Sequence, residues 1–226
     1  MVLNRVCRRE ADSRLSTLRK QITLQMFTHR FEDAECRETR QLAQELAEAS
    51  SRISVEINEA TESGDLLRKY RVDSLPAMVV TAKAVPELRL YGLPLVYAFT
   101  VLLDSICTAG TSSEPKEDLF ELFSCQDAAA SYNASKHSTI HLELLGSRRD
   151  ASLVEAASAV LRVVHAEYQG ADSPKICASI RILENELSRV LPYGAGNFPA
   201  ILLNGTIKLV WPFTDREICT AFMDSM

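Results

Sequence analysis

The sequence predicts an α/β protein in which one unit, a central mixed sheet flanked by helices, occurs twice. Three observations carry that prediction. Residues 22–106 run strand, helix, strand, helix, strand, strand, helix, and residues 139–226 repeat the order. Leu75-Pro76 and Phe198-Pro199 stand at matching places, each before an apolar strand. Asn204-Gly205 divides two apolar runs, a strong hairpin signal.

In the first half, Ile22-Thr23-Leu24-Gln25-Met26-Phe27 alternates as a strand should. A helix opens at Asp33-Ala34-Glu35-Cys36 and reaches about Ala49. It places Leu42, Ala43, Leu46 and Ala47 on one face at spacings of three and four. Asp33 is a good N-cap, because its carboxylate can accept from the free amides of the first turn. Ile53, Val55 and Ile57 mark the next strand. Asp65 to Arg71 reads as a helix with Leu66, Leu67 and Tyr70 inward. The stretch Ser74 to Val80 follows with a hairpin partner at Glu87 to Tyr91, then an amphipathic helix ending near Ile106. Ahead of all this, a charged helix from Arg9 to Lys20 packs through Leu15 and Leu18.

Ser, Thr, Glu, Pro and Lys dominate residues 111–117, as in an exposed linker. The sequence divides into units at 1–112 and 138–226, with a linker at 113–137 holding a helix from Asp118 to Ala130. The second half offers a strand at Thr139 to Leu145, a helix at Asp150 to Tyr168, and a strand at Ile176 to Ile182. A short helix at Glu184 to Val190 and the Phe198 to Trp211 hairpin come next. Thr214 then caps a final helix.

A chain of 226 residues is long for one such unit and comfortable for two. Its net charge of −5 argues against nucleic acid, which selects basic grooves. No apolar run reaches the roughly 20 residues of a membrane span. The opening residues, Met1 to Arg9, lack a long apolar stretch and a small-residue cleavage site, so no secretory signal is expected. Asn133-Ala134-Ser135 has the glycosylation pattern but no meaning without such a signal. The six cysteines (Cys7, Cys36, Cys107, Cys125, Cys177 and Cys219) are too scattered for a zinc site or a stapled secreted domain. They read as free thiols in a reducing cytoplasm. The four histidines lack metal spacing, and no phosphate loop or dinucleotide fingerprint is present. No cofactor or metal is expected.

The element order is that of a thioredoxin fold. Leu90-Tyr91-Gly92-Leu93-Pro94, Tyr97-Ala98-Phe99 and Leu102-Leu103-Asp104 resemble the turn and last helix of the first domain in two related groups. These are the tandem, glutaredoxin-like protein disulfide oxidoreductases and the N-terminal domain of the alkyl hydroperoxide reductase flavoprotein. Thr39-Arg40-Gln41-Leu42 and Lys69-Tyr70-Arg71-Val72-Asp73 fit the same pattern. The resemblance implies two tandem thioredoxin-like folds, close in the first half and looser in the second. It also implies a cis bond at Pro76, a leading helix, and a composite surface between the two units.

The family carries Cys-x-x-Cys at the start of its first helix, and the first cysteine attacks. Here Asp33 stands at the attacking position and Cys36 at the second. The Asp-x-x-Cys remnant reads either as a helix cap above a buried structural thiol or as a working single thiol. The helix dipole at the first turn favours a thiolate at Cys36, while Asp33 and Glu35 oppose it. In the second half the matching stretch is aligned as Arg149-Asp150-Ala151-Ser152, without any cysteine. Arg148 and Arg149 could hold an anion at a helix start, although solvated loop charge is the plainer reading.

Dithiol exchange needs a reachable thiolate and a second thiol to resolve the mixed disulfide. Neither half supplies that pair. Two readings remain. One is a redox-degenerate, non-enzymatic module that binds a protein or extended peptide at the Leu75-Pro76 and Phe198-Pro199 loops. The other is a glutaredoxin-like oxidoreductase using Cys36 alone, with glutathione as resolving thiol.

Overall fold

The computed structural model describes residues 2–83, 85–111, 139–167, 175–183 and 198–225. The linker with its helix at 118–130 and the short helix at 184–190 lie outside the described residues.

Eight strands are β1 (Ile22–Thr28), β2 (Ile53–Glu59), β3 (Ala77–Ala82), β4 (Leu88–Tyr91), β5 (Thr139–Gly146), β6 (Lys175–Ile182), β7 (Ala200–Leu203) and β8 (Thr206–Val210). They form one mixed sheet in the order β2-β1-β3-β4-β6-β5-β7-β8. The order of the first four repeats in the second four: β6, β5, β7 and β8 stand where β2, β1, β3 and β4 stand. The halves join where β4 pairs with β6 in parallel, from Leu88 opposite Ala178 to Tyr91 opposite Arg181.

The described helices are α1 (Arg5–Leu15), α2 (Ala34–Ala49), α3 (Gly64–Tyr70), α4 (Tyr97–Thr111), α5 (Ser152–Glu167) and α6 (Asp215–Met223). On one face of the sheet, α2, α4 and α5 share a single core with the strands. Leu24, Met78, Val80, Leu90, Leu142, Ile180 and Ile201 meet Leu42, Leu46, Leu102, Leu103 and Val160 there. Each leucine so buried contributes about 2 kcal/mol of transfer free energy. On the opposite face, α3 closes a smaller cluster of Phe27, Tyr70, Ala77, Val79 and Tyr91. Period-two alternation sends the odd residues of β6, Cys177, Ser179 and Arg181, to that second face. Its Ala178, Ile180 and Ile182 go to the main core.

Several helix limits differ from those the sequence predicts. The leading helix begins at Arg5, not Arg9, because the Asn4 side chain accepts from the amides of Val6 and Cys7. It stops at Leu15, and the amides of Arg19 and Lys20 turn to the Gly110 carbonyl, both at 3.0 Å. Helix α4 runs on to Thr111. Its Ser105, Thr108 and Thr111 hydroxyls donate to carbonyls four residues back. Gly110 there leaves room for Leu18, whose Cδ2 would lie 2.3 Å from an added Cβ. Helix α6 opens with a full capping box between Thr214 and Glu217.

Candidate functional site

The start of α2 and the Pro76 loop, far apart in sequence, meet at Gly92-Leu93. The Gly92 amide donates to the Pro76 carbonyl at 3.0 Å. The Leu93 amide donates to Glu35 Oε1 at 3.2 Å. Gly92 has φ of 83°, a backbone shape that glycine adopts without steric cost. A Cβ on it would lie 2.9 Å from the Ile182 carbonyl oxygen of the second half. The Leu75–Pro76 and Phe198–Pro199 peptide bonds are both cis, as is Trp211–Pro212. The second half repeats the first contact, with the Trp211 amide donating to the Pro199 carbonyl at 2.8 Å.

Asp33 caps α2, its Oδ1 accepting the Cys36 amide at 2.7 Å. That hydrogen bond is the main cause holding the Asp33 carboxyl below the ordinary carboxylate range. Cys36 is fully buried. Burial pushes its thiol up, and Asp33 adds to the rise, against opposing hydrogen bonds from the Thr28 hydroxyl and the His29 backbone. The start of the helix therefore carries a cap and a covered thiol. Beside it, Phe31 projects with 89% of its surface exposed, its ring 5.9 Å from the Arg30 guanidinium carbon.

The remaining sequence candidates fall into different surroundings. Leu75 is half-buried and packs on the Phe27, Tyr70 and Tyr91 cluster. Phe198 is half-buried against Leu145, Leu183 and Leu202. Pro76 and Pro199 are buried, whereas Arg149 is exposed. The strand register moves the second-half alignment. Ala77 lies opposite Phe27 and Ala200 opposite Leu145, so Phe27 corresponds to Leu145. Counting forward, Asp33 corresponds to Ala151 and Cys36 to Val154. Asp33 and Ala151 each immediately precede a helix start. The matching stretch is thus Ala151-Ser152-Leu153-Val154, two residues beyond the Arg149–Ser152 alignment, because the loop is longer than motif matching suggested. Arg149 lies ahead of it, in the loop whose Arg148 carbonyl accepts from the Tyr97 amide of the first half at 3.1 Å.

One feature beside the Pro76 loop escaped the sequence reading. Arg181 of β6 reaches across the junction, its Nε 2.8 Å from Glu143 Oε1. Its Nη1 donates to the Ser74 hydroxyl at 2.6 Å, and its Nη2 lies 3.1 Å from both Asp73 carboxylate oxygens. The alternation of residues 176–182 does place Arg181 on the polar face of its strand. Nothing local in the sequence indicates that β4 lies next to β6, so the clamp on residues 73–74 could not be read.

By architecture this is a thioredoxin-like α/β protein with one eight-stranded mixed sheet. Solved structures share that architecture over nearly the whole chain. The N-terminal domain of alkylhydroperoxide reductase AhpF from Enterococcus faecalis superposes with a TM-score of 0.76 at 17% identity, over 97% of this chain and 99% of that one. A protein disulfide oxidoreductase from Aeropyrum pernix gives a TM-score of 0.74 at 16% identity, covering 97% of this chain and 92% of its own. No family model matches the sequence, and no curated protein matches it. Among the described residues, no cluster of histidine, cysteine or acidic side chains could hold a metal ion.

Proposed function

We propose that this chain is a redox-degenerate, tandem thioredoxin-fold accessory module of a thiol-redox system. It binds an extended segment of a partner protein beside Leu75-Pro76 and runs no dithiol exchange of its own. The observation that carries the reading is the pair at the start of α2. Asp33 is committed to capping the Cys36 amide at 2.7 Å, and Cys36 is fully buried with its thiol pushed up. Thiol exchange needs a reachable thiolate, and this position offers none. The docking half of the reading is supported by Phe31, 89% exposed in the loop that leads into α2. A large exposed aromatic in the loop that opens α2 suits an apolar anchor of a bound peptide. The two oxidoreductases of like fold make a thiol-redox setting the natural one.

The test is turnover of an insulin disulfide-reduction assay by wild type, Cys36→Ser and Asp33→Cys. Wild type is expected to match the Cys36→Ser control. Asp33→Cys, which restores a thiol at the attacking position, should gain activity that depends on Cys36. Steady wild-type turnover abolished by Cys36→Ser would overturn the reading in favour of a single-thiol enzyme.

A further inference from the structure

The junction that joins the two halves uses one edge from each, and the whole sheet still presents the counterparts of both. Strand β4 ends the first repeat and pairs with β6, which opens the second. By the repeat, β8 corresponds to β4 and β2 corresponds to β6. Among the described residues, β2 and β8 stand at the two outer ends of the sheet, with one strand neighbour each. An outer strand carries a row of unpaired N–H and C=O groups, a template for another strand.

The registers say which residues correspond. Phe27 and Leu145 lie opposite Asn58 and Arg181, so Ile57 stands where Ile180 does and Glu56 where Ser179 does. Ala77 and Ala200 lie opposite Tyr91 and Val210, so Val210 stands where Tyr91 does and Leu209 where Leu90 does. At the junction Ile180 is 0% exposed and Tyr91 4%, whereas at the outer edges Ile57 is 44% exposed and Val210 39%. The junction sets Leu90 opposite Ile180 and Tyr91 opposite Arg181. Carried to the outer edges, the same register sets Leu209 opposite Ile57 and Val210 opposite Asn58. Leu209 and Val55 pack on the main core, and alternation puts Ile57 on the side of Val55. The apolar row would therefore lie on the same face as at the junction. The charges match as well. Leu209 and Ile207 lie opposite the consecutive residues Ile201 and Leu202, so Lys208 is the extra residue of a bulge. Exposed Lys208 falls beside exposed Glu56 in the transferred register. Glu56 Oε2 is held on its own side by the neutral Gln25 amide at 2.6 Å.

We propose that the chain associates with further copies of itself head to tail. Strand β8 of one copy pairs in parallel with β2 of the next, as β4 pairs with β6 inside each copy. Main-chain hydrogen bonds join the two strands. Leu209 against Ile57 closes the apolar side, and Lys208 beside Glu56 fixes the register. Two different edges meet, so every added copy leaves one of each open and the assembly grows beyond two. One short strand pair makes a small contact, so association is reversible and follows concentration.

The test is sedimentation velocity of the full-length chain over a rising concentration series. Wild type should pass from single copies to pairs and then to longer assemblies. Lys208→Glu sets like charges side by side and should weaken self-association about tenfold or more. Adding Glu56→Lys to it should restore association, which a merely misfolded variant would not do. The register has its own check in an equal mixture of Ile57→Cys and Leu209→Cys chains under mild oxidation. Residues facing each other on neighbouring strands lie about 5 Å apart, within disulfide reach, so the mixture should give a 57–209 cross-link between copies. A chain that stays single at every concentration overturns the proposal, as does an assembly that stops at two. Association untouched by Lys208→Glu, or a mixture without the 57–209 cross-link, overturns it too. The outcome is independent of the Asp33 and Cys36 assay, because it concerns the outer edges of the sheet.

Discussion

The Arg181 guanidinium lies over the Tyr91 ring, 4.3 Å from its centroid, across the β4–β6 junction. Each residue is held from other directions as well. The Tyr91 hydroxyl donates to the Arg71 carbonyl at 3.2 Å. Burial, aided by the Asp73 charge, pushes the phenol up to about 12, so it remains the donor across the physiological range. Arg181 is bound by Glu143, Asp73 and Ser74 together. One cation thus fastens the second half to the loop before Pro76.

Arg181→Met should therefore destabilise the whole chain, since Glu143 would be left without its cation. The loss should be about 2 kcal/mol, less than for a fully buried pair because Glu143 keeps some water. Urea denaturation measures it. A midpoint unchanged from wild type would show that the clamp is incidental, and recovery in Arg181→Met/Glu143→Leu would show that the unpaired carboxylate was the cause.

Asp33→Ala should cost about 1 kcal/mol, the usual loss when a helix cap is removed. The effect carries a pH signature. The folded carboxyl sits below its unfolded value, so its contribution is present above the ordinary carboxylate range. It fades as pH falls through the folded value. Wild type and variant should converge in acid. A gap that persists there would mean that the carboxylate is not what caps the helix.

Cys36 should resist a neutral maleimide in the native protein, reacting about 100-fold or more slowly than after unfolding, because access requires local opening. Its thiol is raised by burial, so the folded state favours the protonated form. That stabilisation is present below the unfolded thiol's pKa and is lost as pH climbs toward the folded one. Cys36→Ala should accordingly flatten the alkaline limb of the stability profile. Rapid native labelling at Cys36 would contradict the covered site.

Gly92→Ala should be costly on two counts, the positive φ and the carbonyl of Ile182 in the way. Together these amount to roughly 2 kcal/mol or more. Thermal unfolding reads the loss. A variant as stable as wild type would mean that the loop shifts freely and that the Pro76–Gly92 contact does not define the site.

Most elements were legible because their signals are local. Leu42, Ala43 and Leu46 recur at helical spacing, Ile22 to Phe27 alternate, and Asn204-Gly205 marks its turn. Asp33 could be recognised as a cap from one residue and its place. The junction was not legible, since Leu88 gives no sign that Ala178 will lie beside it. Everything that depends on that pairing stayed hidden, both the Arg181 clamp and Ile182 pressing on Gly92. The slip at Arg149 has the same origin, because the register that fixes the loop length lives in the strand pairing.

The β4–β6 pairing also shapes how the chain comes into being. Strand β4 is buried along its whole length, yet its partner at Ala178 follows Leu88 by about 90 residues. On a ribosome, the first half stands finished for some seconds at usual synthesis rates, with the N–H and C=O groups along one edge of β4 still unpaired by β6. Such an unpaired edge invites pairing with other chains. Cutting the protein between its halves would make that interval permanent. The two pieces would meet as aggregates rather than as separable modules, and a nascent-chain chaperone would find its target at residues 88–91.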